Sequence, residues 1–412
     1  MSAIKVLNIT NFRNFIFARL FFTFAVNMMG TIVAWQVYEY TKDSLALGAI
    51  GLAEVIPFVL VALFGGHIAD IISRKKIMLA SVSLYLLCAV ALWVLSTYFA
   101  EILQNVGVFP IFAIIFVTGI ARGFLAPAQS AFMAQLVPQD QYGNSATISS
   151  VVWHASAVGG PVLGAWLYAY GQASLTYLVV GILGFLGLLL FWTVPAQPMP
   201  PRIVGEKLST RLSAGLKFVF SHQIMLGAMA MDMFAVLFGG AVALLPIFAE
   251  DVLHTGVKGL GLLRMAPAVG ALLAAIFMIF RPVLTHAGRN LLICVGAFGL
   301  CTIGFALSQN FVLSFILLAL TGMFDNVSVV IRSTILQLYT PDEMRGRVGA
   351  VSSIFISSSN ELGAFESGAM AKLMGLVPSV IFGGGMTVLV VLVAGKIAPL
   401  LRNLNLQKEI SS

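Results

Sequence analysis

The stretch that decides the fold is Gly66-His67-Ile68-Ala69-Asp70-Ile71-Ile72-Ser73-Arg74-Lys75-Lys76. It is a short charged segment set between two apolar runs. Residues 45–66 carry one carboxylate, Glu54, and no basic residue; residues 77–97 carry no charge. Each run is long enough to cross the hydrocarbon core of a bilayer, which takes about 20 apolar residues of helix. The charges between them mark where the chain emerges into water.

The rest of the chain repeats this layout. Of its 412 residues, 59% are hydrophobic and only 9% are charged, with a mean hydropathy of +1.00. A water-soluble domain carries roughly 25% charged residues, so the composition predicts a polytopic α-helical membrane protein. A membrane β-barrel is excluded because the apolar runs lack the required two-residue alternation. The first run follows a polar start and continues without a small-residue cleavage site, so no cleavable signal is expected. Cys88, Cys294 and Cys301 all lie inside apolar runs and read as small hydrophobes, not as disulfides or metal ligands.

Twelve spans are expected, at about 12–38, 44–66, 77–97, 109–135, 144–169, 174–194, 223–249, 258–280, 290–308, 311–337, 346–372 and 377–398. With an even count both termini lie on one side. Sixteen Lys and Arg residues then fall on that side, against only Lys42, Lys258 and Lys372 on the other. The positive-inside rule makes that side cytoplasmic. It also accounts for the net charge of +7 by anionic headgroups, so no nucleic acid partner is expected. Residues 195–222, Pro-rich and then basic, form the longest polar interval. They divide the chain into a six-helix bundle (1–194), a cytoplasmic linker (195–222) and a second six-helix bundle (223–412).

The two halves match. A shift of 203 residues places Gly119 on Gly322, Ser130 on Ser333, Pro138 on Pro341, Gly143 on Gly346, Ser149 on Ser352 and Gly160 on Gly363. The fold class expected is therefore an all-α membrane protein of two pseudo-symmetric six-helix bundles, an architecture used by transporters that bind substrate near the midplane.

Four stretches carry a resemblance to a known family. They are Gly66-x-x-x-Asp70-x-x-x-Arg74-Lys75, Gly119-x-x-Arg-Gly-Phe-x-x-Pro-Ala128 running into Gln135-Leu-Val-Pro138, Gly159-Gly-Pro-Val-Leu-Gly164, and Thr340-Pro-Asp-Glu-Met-Arg-Gly-Arg-Val348 followed by Ser359-Asn-Glu-Leu-Gly363. Together they resemble the major facilitator superfamily, in the subgroup that includes the enterobactin exporter and the macrolide efflux pumps. The resemblance implies the major facilitator fold. It implies proton-coupled export of small amphipathic molecules across a bacterial inner membrane by alternating access, and a monomer. It also implies a conformational latch at Gly66, Asp70, Arg74 and Lys75, and an antiporter motif at Gly159, Gly160, Pro161 and Gly164. Ser73 stands where the family usually has glycine, and Thr285 replaces the acidic residue of the matching loop in the second half.

Ionisable residues inside the spans are the sharpest functional signal, because each costs several kcal/mol at depth unless paired or wet. Arg122, Glu361, Asp325, Asp232 and Glu54 are candidates for proton coupling. Arg19, Asn27, Arg332 and Glu366 are candidates for lining the substrate cavity. Pairing of Arg122 with Glu54, or of Asp325 with Arg332, is the structural alternative. His67 and His154 stand apart from Cys and acidic residues, so no metal site is expected, and no cofactor motif is present. The partners expected are a small-molecule substrate, protons and membrane lipids. A lipid or metal-ion transporter or facilitator on the same fold, and a transport-dead sensor or scaffold, are the rival readings. No nucleophile and base can be placed together, so an enzyme is not expected.

Overall fold

The computed structural model describes residues 3–198, 208–280, 285–341 and 344–406; side chains of 62–71, including Gly66 and Asp70, lie outside the described set. Twelve helices organise it. They are α1 (Thr10–Thr41), α2 (Ser44–Ile71), α3 (Arg74–Tyr98), α4 (Phe109–Gln135), α5 (Tyr142–Thr193), α6 (Leu208–Ser221), α7 (Gln223–Phe238), α8 (Gly256–Phe280), α9 (Ala287–Leu307), α10 (Phe311–Tyr339), α11 (Arg345–Met374) and α12 (Leu376–Ile397). There is no strand among the described residues.

The apolar segments become helices because only a helix satisfies every backbone donor and acceptor within one segment in lipid. Polar residues punctuate them. Ser73 Oγ accepts the Lys76 amide at the start of α3, and Asn310 Oδ1 accepts the Leu313 amide at the start of α10. Gly375, at φ 92°, ends α11 in a conformation that favours glycine.

Ten helices are long and apolar enough to span a bilayer among the described residues. The expected segments lie in helices to within a residue or two, with two departures. The fifth and sixth segments are two helices that meet without a loop, treated together as α5, with the break between them where Gly171 and Gln172 leave helical geometry. The seventh is interrupted at Gly239 and Gly240 and resumes irregularly, ending in a π-helical turn over Phe248–Val252. The eleventh lies in α11, which holds Glu361, Glu366 and a run of serines. Those polar residues set it apart from the ten apolar helices.

The chain forms two compact units: Met1–Lys42, Leu52–Val204 and Gly256–Met265 in the first, Asp43–Gly51, Gly205–Thr255 and Ala266–Ser412 in the second. The start of α2 falls in the second unit and the start of α8 in the first. The expected linker also departs from expectation, because its end folds as α6. This helix packs on α11 within the second unit: a Cβ on Gly215 would lie 2.9 Å from the Arg347 carbonyl oxygen, and Val219 is buried in that unit's core.

The first unit is held by buried aromatics, with Phe15 set between Phe132, tilted at 6.0 Å, and Phe191, edge-on at 5.7 Å. A buried polar chain crosses it: Tyr177 Oη donates to Gln36 Oε1 at 2.8 Å, and Gln36 Nε2 donates to Ser96 Oγ at 3.0 Å.

Candidate functional site

Each unit sets an arginine against a carboxylate. In the first, Arg122 on α4 donates from Nη1 to Glu54 Oε1 on α2 at 2.8 Å, and its guanidinium lies 5.4 Å from the centre of the Phe58 ring. One charge answers the other, and the aromatic face adds to the cation's binding.

The second unit builds a larger cluster. Asp325, Ser328 and Arg332 lie at i, i+3 and i+7 on α10, so they share one face. Arg332 Nη1 pairs directly with Asp232 on α7, and its Nη2 lies 3.8 Å from Asp325 Oδ1. The Arg332 and Asp232 side chains are only 10% exposed, whereas Asp325 is 46% exposed. These residues border a small cavity completed by Ala235 and Val236 of α7 and by Val295 and Phe298 of α9. Its space is of the order of one water molecule. The sequence suggested Asp325 with Arg332 but gave no reason to bring Asp232 to them.

The other candidates are dispersed. Arg19 Nη1 donates to Ser149 Oγ on α5 and lies 3.9 Å from Met133 Sδ on α4. Asn27 turns back on its own helix, donating to the Thr23 carbonyl at 2.9 Å. Glu361 and Glu366 sit on α11; Glu366 Oε2 accepts from Ser367 Oγ at 3.5 Å, and its Oε1 is buried without a hydrogen bond among the described residues. Arg74 Nη1 donates to the Ala131 carbonyl on α4 at 3.3 Å, and Lys75 Nζ donates to the Trp192 carbonyl at 2.8 Å. The proposed latch partners Gly66 and Asp70 lie outside the described side chains.

The glycines of the α5 motif face α1. A Cβ on Gly159 would meet the Phe24 ring at 2.5 Å, one on Gly160 the Asn27 Cβ at 2.7 Å, and one on Gly164 the Met28 backbone at 3.3 Å. The Pro161 carbonyl instead faces Gly261 of α8, whose Cβ would lie 2.9 Å from it and 2.5 Å from Ala165 Cβ. The motif thus lets two neighbouring helices come close to one helix within the first unit.

That contact has a twin. Gly51 of α2 packs on α11 with its Cβ position 2.6 Å from the Glu361 carbonyl oxygen and 3.1 Å from Ala364 Cβ. The strings around the two glycines match at a shift of 210: Gly51-Leu-Ala-Glu-Val-Ile-Pro57 and Gly261-Leu-Leu-Arg-Met-Ala-Pro267. Pro161 and Ala364 are equivalent at the shift of 203. Under these equivalences Glu54 corresponds to Arg264 and Arg122 to Asp325. The signs of the first unit's pair are therefore reversed at the equivalent sequence positions of the second half. Arg264 belongs by its contacts to the first unit, with Nη1 3.5 Å from Thr31 Oγ1.

Comparison with known proteins agrees with this duplicated helical architecture. The family model described as Major Facilitator Superfamily matches residues 15–364. The chain belongs to the major facilitator superfamily. Among curated relatives it is 26% identical, over 376 residues, to the enterobactin exporter EntS of Shigella dysenteriae, covering 89% of this chain and 87% of that protein. It is also 26% identical over 381 residues to the EntS of Citrobacter koseri, covering 90% and 88%. Among solved structures, a D-xylose–proton symporter matches with a TM-score of 0.72 at 16% identity, over 98% of this chain and 99% of that one. A POT family transporter matches with a TM-score of 0.75 at 12% identity, over 95% and 96%. At such identities these structures speak for the fold alone. This major facilitator protein is a multi-pass membrane transporter and not an enzyme.

Proposed function

We infer that this protein is a secondary exporter that moves siderophore-like or other small amphipathic molecules out of the cell in exchange for protons, by alternating access of its two bundles. The likeness to enterobactin exporters over 89% of the chain carries the direction and the substrate class. The arginine–carboxylate sites inside the spans support ion coupling, because charged groups at depth are costly unless they serve a function. In this reading both termini face the cytoplasm of a bacterial inner membrane. The Gly51 and Gly261 contacts are close approaches that would form and release during the cycle.

The test is flux into proteoliposomes containing the purified protein and a catecholate siderophore or a lipophilic cationic drug. An imposed pH gradient drives substrate against its gradient if the reading holds, and Arg122→Ala abolishes the coupling. Flux that ignores both the pH gradient and this substitution identifies a uniporter instead. No flux of either compound removes the substrate class.

A further inference from the structure

Arg19 is provided for differently from the arginines already placed. Arg122 has Glu54 at 2.8 Å, and Arg332 has Asp232. Arg19 stands nine residues after the first residue of α1, about 14 Å along the helix axis. No carboxylate pairs with it among the described residues. Its side chain reaches two other helices of the same unit, donating from Nη1 to Ser149 Oγ on α5 and lying 3.9 Å from Met133 Sδ on α4. A guanidinium carries five N–H donors, and a thioether is a weak acceptor for them. A cation inside a span is expensive unless an anion or water answers it.

A second observation points the same way. Gln129 lies one turn before Met133 on α4, so the two share a face. The Gln129 side-chain nitrogen, Nε2, is buried and makes no hydrogen bond among the described residues. An N–H group sealed without an acceptor is unfavourable. Beside Met133, then, a guanidinium and a carboxamide both hold N–H donors for which the protein supplies too few acceptors. An oxyanion answers both at once.

We propose that Arg19, with Gln129 beside it, binds the anionic group of the exported molecule, and that the cargo is an amphipathic anion bearing a carboxylate, sulfonate or similar oxyanion. The planar guanidinium can offer such a group two parallel N–H bonds. Ser149 steadies the arginine from α5. The flexible Met133 thioether adapts to an apolar body of varied shape. Lipophilic cations are repelled by the same charge. This deepens the exporter reading and rests on it for treating the bound molecule as cargo.

The probes are anilinonaphthalene sulfonate and N-phenylnaphthylamine, one amphipathic body with and without its sulfonate. Full-length protein in phosphatidylcholine nanodiscs is titrated with each dye. Emission is excited through tryptophan, so that only dye beside the protein counts. Arg19→Gln should weaken binding of the sulfonate dye by about tenfold or more, the factor carried by a hydrogen bond to a charged group, and leave the uncharged dye as before. Gln129→Leu should weaken the sulfonate dye as well. Arg13→Gln, at an exposed position near the start of the same helix, should not. Should Arg19→Gln fail to fold, Arg19→Lys serves: a point charge in place of the fork should bind the sulfonate more weakly. Sulfonate binding unchanged in Arg19→Gln or Arg19→Lys, or weakened equally by Arg13→Gln, would overturn the assignment. So would competition from phosphatidylglycerol added to the nanodiscs, which would give the site to a lipid headgroup. Sulfonate binding that requires Arg19, joined to an absence of any flux in liposomes, would leave the anion site standing and count against the exporter reading.

Discussion

Lys372 Nζ lies 3.0 Å from Asp43 Oδ2, tying the residue before α2 to the last turn of α11. The two helices meet again below it, where Gly368 packs on Ser44 and Gly48, and where Gly51 packs on the Glu361 carbonyl. The charge pair sits at one end of a glycine-lined helix contact within one compact unit.

Partial loss of hydration by itself works to raise the Asp43 carboxyl. The hydrogen bond from Lys372, the Leu45 amide and the Lys372 charge together outweigh it and hold the group below its ordinary value. A carboxyl depressed in the folded state adds stability above its unfolded value, near pH 3.9, and loses that increment as pH falls through the folded value. Asp43→Asn should therefore lower thermal stability at neutral pH, by no more than about 1 kcal/mol for so exposed a pair. The gap from wild type should close below about pH 4 and shrink in high salt. Melting curves of both proteins at pH 7 and pH 3 check this; a gap that widens in acid refutes it.

The glycine contacts should be intolerant of bulk. Valine at Gly51 or Gly261 places atoms within 2.6 Å of the Glu361 carbonyl oxygen or 2.5 Å of Ala165 Cβ. Each should cost about 1–3 kcal/mol in stability. Gly30→Ala and Gly385→Ala, with nothing within 4 Å, should be neutral or gain up to about 1 kcal/mol from helix propensity. Unfolding temperatures of the four variants decide the comparison.

Tyr177→Phe should destabilise by about 1–3 kcal/mol, because it strands the buried Gln36 carbonyl oxygen. Adding Gln36→Leu should recover most of the loss, since removing both partners removes the debt of the acceptor. A double variant as unstable as the single one would show that the ring packing, not the hydrogen bond, is at stake.

Reversal of the first pair should be tolerated where single changes are not. Glu54→Arg alone sets two cations together on α2 and α4. Glu54→Arg with Arg122→Glu restores opposite charges, with the signs that Arg264 and Asp325 carry at the equivalent sequence positions. The double-mutant coupling should reach about 0.5–3 kcal/mol in favour of the reversed pair. Thermal unfolding of the two single variants and the double one measures it, and additivity would deny the pairing.

Much of this architecture was legible in the chain. The charged segment ending at Lys76 marks a boundary that Ser73 then caps in the structure, and the matches at Gly119 and Gly322 signal the duplication. The approach of Asp232 to Arg332 was not legible, because about a hundred residues separate them and nothing local selects one buried carboxylate over another. α6 was hidden by its basic, polar setting, although Leu212, Leu216 and Val219 already recur at helical spacing. The sign reversal was present in plain letters as Gly-Leu-x-Glu-x-x-Pro and Gly-Leu-x-Arg-x-x-Pro. It escapes a single shift of 203 because the offset is 210 at the second helix of each half. Only the matched packing of Gly51 and Gly261 aligns the two.

That reversal bears on how a duplicated protein acquires a direction. Two identical copies of one bundle would hold identical balanced pairs, and acid would act on both alike or on neither. With Glu54 and Arg122 cancelling in one copy and Asp325 placed where the arginine had been in the other, the copies cease to be interchangeable parts. A protein rebuilt from two copies of residues 1–194 would lose that difference, carrying Glu54 and Arg122 in both copies where this chain has Arg264 and Asp325 in the second.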